Sequence, residues 1–102
     1  MKIRIAMSAV AAMMALSGTV SADQALAQKN ACMSCHGVDK KIVGPAFKEV
    51  AARYKGTAGA EAKLVALVKS GGKGNWGKIP MPPNPQVSDQ DLHKIVKWIL
   101  SL

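Results

Sequence analysis

The 102 residues carry 14 Lys and Arg against 6 Asp and Glu, a formal charge of +8. A chain of this size is one small domain, and one Phe, one Tyr and two Trp give it little bulk to build a core with. The basic residues are scattered (Lys29, Lys40, Lys41, Lys48, Lys55 and onward) with no nucleic-acid motif among them, which argues against DNA or RNA as a partner and favours acidic proteins or an anionic surface.

Residues 1–22 have the pattern of an export signal. Lys2 and Arg4 give a positive start, Ile5 to Leu16 is apolar apart from Ser8, and Val20-Ser21-Ala22 resembles a small-residue cleavage site. The apolar run of twelve residues is short of the ~20 that a membrane-spanning helix needs. A cleaved signal peptide over 1–22 is therefore expected, with no stable membrane insertion. The mature domain is then 23–102, in the periplasm, and losing Lys2 and Arg4 lowers its formal charge to +6.

The first helix is expected from Asp23 to Cys35, with an acid in its first turn and an exit at Gly37. At its C-terminal end lies Cys32-Met33-Ser34-Cys35-His36, which holds both cysteines of the chain. This Cys-x-x-Cys-His spacing is that of a c-type haem attachment site. On a helix, residues three and four apart share a face. Both thiols can then reach the vinyl groups on one porphyrin edge while the imidazole reaches the iron. Three other uses of the cysteines fit less well. A thioredoxin-like dithiol sits beside a βαβ pattern, and no strand-like alternation surrounds this motif. Structural zinc takes four ligands, whereas the chain offers only Cys32, Cys35, His36 and His93. A disulfide would close too small a loop to add much stability. Thioether attachment in an exported protein further requires that the thiols be kept reduced first.

Val43-Gly44-Pro45 is a turn, and Pro45 suits the first position of a second helix running to Tyr54. There Phe47, Val50, Ala51 and Tyr54 make one apolar stripe. A third helix covers 60–70, with Leu64, Leu67 and Val68 inward, and ends at Gly71-Gly72. Both stripes are expected to be plain core. Gly71 to Gly77 lacks the Gly-Lys-Ser/Thr ending of a phosphate loop. It is expected as a flexible turn that lets Trp76 approach something flat, and Trp76 is either core or a donor through its indole N–H. The last helix starts at the N-cap Ser88, has Asp89 and Asp91 in its first turn, and buries Leu92, Ile95, Val96 and Ile99. Trp98 flanks that stripe and is expected to pack on the first helix. No internal repeat is visible.

If His36 takes one axial position of an iron, few residues can take the other. Met1, Met7, Met13 and Met14 leave with the signal, and Met33 lies inside the attachment motif. His93 lies about 100° off the apolar stripe and should face water, and Tyr54 completes a core stripe. Met81 remains, within Ile79-Pro80-Met81-Pro82-Pro83-Asn84-Pro85. Proline fixes φ and has no N–H, so this segment is stiff and has few donors in need of partners. Both properties suit a loop laid over an apolar haem face.

With Val43-Gly44-Pro45-Ala46-Phe47, Gly74-Asn75-Trp76-Gly77 and Ile95-Val96-Lys97-Trp98-Ile99-Leu100-Ser101, these motifs make the mature chain resemble the small bacterial class I monohaem cytochromes c of the c-551/c-552 type. The resemblance implies an all-α fold of about four helices wrapped round one covalently attached haem c. It implies that His36 and Met81 ligate the iron and that the Pro45 carbonyl accepts from the ligand imidazole. It further implies that Trp76 bonds a haem propionate and that Asn84 supports the methionine sulfur. A His/Met-ligated iron leaves no open position, so no enzymatic role is expected. The expected function is a soluble monomeric one-electron shuttle. Its donor would be of the quinol–cytochrome c reductase type, and the resemblance suggests a nitrite reductase, cytochrome oxidase or peroxidase as acceptor. Two rivals stand beside it. One is a haem domain with an open iron site, gas-binding or peroxidase-like; the other is a haem-free thiol-disulfide oxidoreductase.

Overall fold

The computed structural model describes residues 21–102; the expected signal segment lies outside the described residues except for Ser21 and Ala22. The described chain is all α: α1 (Ala22–Lys29), α2 (Phe47–Tyr54), α3 (Ala60–Ser70) and α4 (Asp89–Leu100), with a short 3-10 turn over Cys32–Ser34. Among these residues the only extended pairings are two isolated bridges, His36 with Lys41 and Gly72 with Met81.

α1 is shorter than the sequence suggests. Ser21 caps it, its Oγ accepting from Gln24 N at 3.1 Å. At the other end the Asn30 side-chain amide donates to the Leu26 carbonyl at 2.9 Å, and Ala31 turns left-handed at φ 62°. A non-glycine residue in that region halts a right-handed helix. Cys32–Ser34 therefore winds separately as 3-10, in which residues three apart eclipse.

α2 begins at Phe47, not at Pro45. No side chain caps it; instead Phe47 N and Lys48 N donate to the carbonyls of Gly37 at 2.9 Å and Val38 at 3.1 Å. The segment leaving the Cys-x-x-Cys-His motif thus satisfies the orphan donors of this helix, and Pro45 stays in the approach loop. α3 and α4 match expectation: Gly71 ends α3 at φ 75°, and Ser88 Oγ accepts from Asp91 N at 3.2 Å to start α4.

The apolar stripe of α4 organises the core, because α4 packs against each of the other three helices. Leu92, Ile95, Val96 and Ile99 are buried with Ala27 from α1, Phe47 and Val50 from α2, Leu64 and Val65 from α3, and Val87. Trp98 meets α2: its ring sits edge-on to Phe47, centroids 5.6 Å apart. Two polar contacts join α3 to α4 on the outside, Lys69 with Asp89 and His93 Nδ1 with Glu61 Oε1 at 2.8 Å. The Lys69 ammonium holds the Asp89 carboxyl below its ordinary range, first through the hydrogen bond and then through its charge.

Candidate haem site

A cavity of about 300 Å³ opens between α2, α3, α4 and the loops 41–45 and 72–82. Its inner wall is apolar, formed by Val50, Leu64, Leu67, Val68, Val96 and Ile99. Leu64, Leu67 and Val68 therefore serve as cavity wall as well as core, and the last two are only half-buried.

His36 stands on one side. Its Nδ1 lies 2.7 Å from the Pro45 carbonyl oxygen. A carbonyl only accepts, so the Nδ1 must carry the proton and Nε2 keeps a lone pair as the ring nitrogen left for the cavity. Three further features fix the ring. Phe47 stacks on it, centroids 4.8 Å apart at 16°. Gly44 N and Val43 N donate to the Cys35 carbonyl at 2.7 and 3.1 Å, folding the loop back over the motif. Gly44 then lies so close that a Cβ there would stand 2.5 Å from His36 Cε1. Only glycine leaves room for the imidazole in this pose.

Met81 stands on the wall formed by the proline-rich loop. Met81 N donates to the Gly72 carbonyl at 2.7 Å and Gly72 N to the Met81 carbonyl at 3.0 Å, so its backbone is clasped to the end of α3. Asn84 N closes the next link on the Val68 carbonyl at 2.9 Å, using one of the orphan acceptors of α3.

The expected site residues divide as follows. Cys35, His36, Pro45, Trp76 and Met81 all line the one cavity. Cys32 does not line it; it is half-buried against the core, and burial pushes its thiol above its ordinary range, with the neighbouring Cys35 adding to the shift. Neither cysteine is in a disulfide. Asn84 also stands outside the lining, its side-chain amide donating to the Pro82 carbonyl at 3.0 Å. His93 and Tyr54 are away from the cavity, His93 exposed and paired with Glu61. Trp76 lines the cavity and carries the Arg53 guanidinium on its ring, Cζ 4.4 Å from the centroid.

Sequence reasoning missed Phe47 as a partner of the imidazole, Gly44 as its spacer and Arg53 altogether. Val43-Gly44-Pro45 carries a signal for the second, since glycine beside proline in a turn marks close backbone approach. Nothing local marks Arg53. The donor set fits a haem: a lone-pair imidazole nitrogen, a thioether, a thiol at the rim and an apolar wall between them suit a flat, largely apolar ligand with a soft central metal.

A family model described as Cytochrome c matches residues 21–102. The chain is similar to cytochrome c-551 of Allochromatium vinosum, with 52% identity over 89 residues covering 87% of this chain and 95% of that one. It is 47% identical over 87 residues to cytochrome c-552 of Nitrosomonas europaea, covering 85% of this chain and 84% of the relative. Among solved structures, the crystal structure of wild-type Nitrosomonas europaea cytochrome c552 aligns at a TM-score of 0.75 and 49% identity, over 76% of this chain and 96% of that chain.

Proposed function

The chain belongs to the cytochrome c family, and we propose that His36 and Met81 would hold its haem iron. It is a small electron-carrier cytochrome whose haem c is attached covalently, Cys32 and Cys35 fitting the attachment pattern. When bound, the haem supplies reversible one-electron chemistry, its iron alternating between ferrous and ferric.

The observation that carries the ligand assignment is that His36 and Met81, far apart in sequence, line one cavity with their supports already made. The Pro45 carbonyl orients the imidazole and increases its basicity by accepting from Nδ1. Gly72 clasps Met81, and Pro80, Pro82 and Pro83 stiffen the chain on both sides of it. A thioether is a weak ligand, and a preorganised one loses less entropy on binding. In this reading Trp76 turns its indole N–H to a propionate at the rim, and Asn84 supports Met81 from behind through the Pro82 carbonyl.

With His36 and Met81 both given to the iron, the chain would leave no open coordination position for a substrate, which favours a carrier over an enzyme. The carrier would work in the periplasm after removal of residues 1–22, as a soluble monomer. No helix of the described residues is long and apolar enough to cross a membrane. The cavity mouth supplies a docking face: Lys41, Lys73 and Lys78 border it together with Val43 and Ile79, which are 48% and 65% exposed. Lys40 lies on the adjoining loop, whereas Lys29 sits in the last turn of α1 away from the mouth. An apolar centre rimmed by ammonium groups suits acidic redox proteins, a quinol–cytochrome c reductase type donor and a nitrite reductase, oxidase or peroxidase acceptor.

Met81→Ala tests the ligand assignment. The haem should stay attached, because the thioethers are untouched. The near-infrared charge-transfer band of the oxidised protein, which reports methionine sulfur on iron, should vanish, carbon monoxide should bind the reduced protein, and the reduction potential should fall. His93→Ala should leave all of these as they are. A band that survives Met81→Ala, or disappears in His93→Ala, sinks the assignment.

A further inference from the structure

Between Gly72 and Met81, residues 73–80 make no backbone–backbone hydrogen bond to any described residue. Gly74 and Gly77 both sit at positive φ, 85° and 112°. Such a stretch has little stiffness of its own before Pro80, yet it forms a whole wall of the cavity, Trp76 included.

One side chain from elsewhere in the fold reaches it. Arg53, exposed in the last turn of α2, donates through Nη1 to the Asn75 carbonyl and lays its guanidinium over the Trp76 ring. Arg53 is not itself part of the cavity lining, so it grips the indole from outside while the cavity lies inside. The two contacts use two properties that only a guanidinium combines: N–H donors in its plane and a flat, weakly hydrated face that stacks on an aromatic ring. Among the described residues no other side chain donates to or accepts from residues 73–80.

We infer that Arg53 is the positioning residue that latches loop 73–80 against the cavity, through the Asn75 carbonyl and the Trp76 face, and so keeps Met81 at the loop's end in place on the cavity wall. The second half of this inference rests on Met81 being the iron ligand; the latch itself does not. The ordinary alternative is an arginine placed to favour the C-terminal dipole of α2, which would leave the loop indifferent to its removal.

Arg53→Gln and Arg53→Lys in the haem-loaded protein separate the two. In the ferrous wild type, backbone order parameters of Gly74, Asn75, Trp76 and Gly77 should lie near ~0.85, the value of rigid backbone, and in Arg53→Gln they should fall below ~0.6. Imidazole association with the ferric Arg53→Gln protein should rise by about tenfold or more, as expected if the population of the open loop grows by that factor. Arg53→Lys keeps the charge but makes at most one of the two contacts, so it should fall between. Loop order unchanged in Arg53→Gln overturns the latch, and so does full retention of order in Arg53→Lys. A loosened loop with imidazole association unchanged overturns its hold on Met81. If the wild type lacks the methionine-to-iron band, the ligand assignment fails instead, and the order parameters alone decide whether Arg53 is a latch.

Discussion

Met81 and Gly72 hold each other by a reciprocal pair of backbone hydrogen bonds, 2.7 Å from Met81 N and 3.0 Å from Gly72 N. This clasp carries the proline loop back to the end of α3, and it depends on the glycine just before it. Gly71 sits at φ 75°, and a Cβ there would stand 2.7 Å from the Met81 carbonyl oxygen and 2.8 Å from Pro83 N. Those are backbone atoms with nowhere to go. Gly71→Ala should therefore destabilise the protein by about 1–3 kcal/mol from conformation and crowding together. It should also weaken the methionine-to-iron band, whereas the exposed Gly56→Ala, with nothing near its Cβ, should leave the band alone. Urea unfolding and the oxidised spectrum of both variants check this.

Ala31 presents the opposite case. It holds φ 62° at the entrance to the attachment motif without being glycine. An L-residue in that region costs roughly 1–2 kcal/mol, and glycine's extra chain entropy takes back about 0.5–1 kcal/mol. Ala31→Gly should then stabilise the haem-loaded protein by about 0.5–1 kcal/mol, read as a higher urea midpoint with unchanged slope. A lower midpoint would show that the turn gains something from the methyl group.

The cavity bears on folding without haem. Without haem the half-buried Leu67 and Val68 would face a solvent-open centre, each forgoing part of the about 1.5–3 kcal/mol that full burial of such a side chain gives. The whole stability of a domain with about 80 residues is about 4–12 kcal/mol. A Cys32→Ala, Cys35→Ala variant made without haem should accordingly show no cooperative native-like unfolding by circular dichroism. A sharp two-state transition would falsify the view that the haem completes the core.

Docking should depend on salt. The lysines at the cavity mouth are exposed, so their attraction to an acidic partner is screened over about 8–10 Å at physiological ionic strength. The bimolecular rate of electron delivery should fall from low to physiological salt, by on the order of tenfold, and Lys73→Gln with Lys78→Gln should flatten that dependence. Stopped-flow mixing with an acidic redox partner measures both. A rate that stays level or climbs with salt in the parent protein removes the electrostatic account.

The sequence alone was enough for the features that are local. Cys32, Cys35 and His36 announce themselves by spacing, and Ser88 with the stripe of Leu92, Ile95, Val96 and Ile99 specifies α4 because cap and periodicity agree. Gly71 closes α3 where glycine should. The prolines around Met81 mark a stiff loop, and the fold sets Met81 on the cavity wall. The rest needed the tertiary structure, for one recurring reason: the deciding partner is distant along the chain. α1 stops before the motif because Ala31 is held left-handed, which no propensity foretells. α2 starts late because its first N–H groups are taken by the carbonyls of Gly37 and Val38. Trp76 had two readings from sequence, and only the fold places it on the cavity wall with Arg53 across its ring. Leu67 and Val68 looked like core, and the fold left them half-exposed to a cavity because the four helices alone do not fill their own centre.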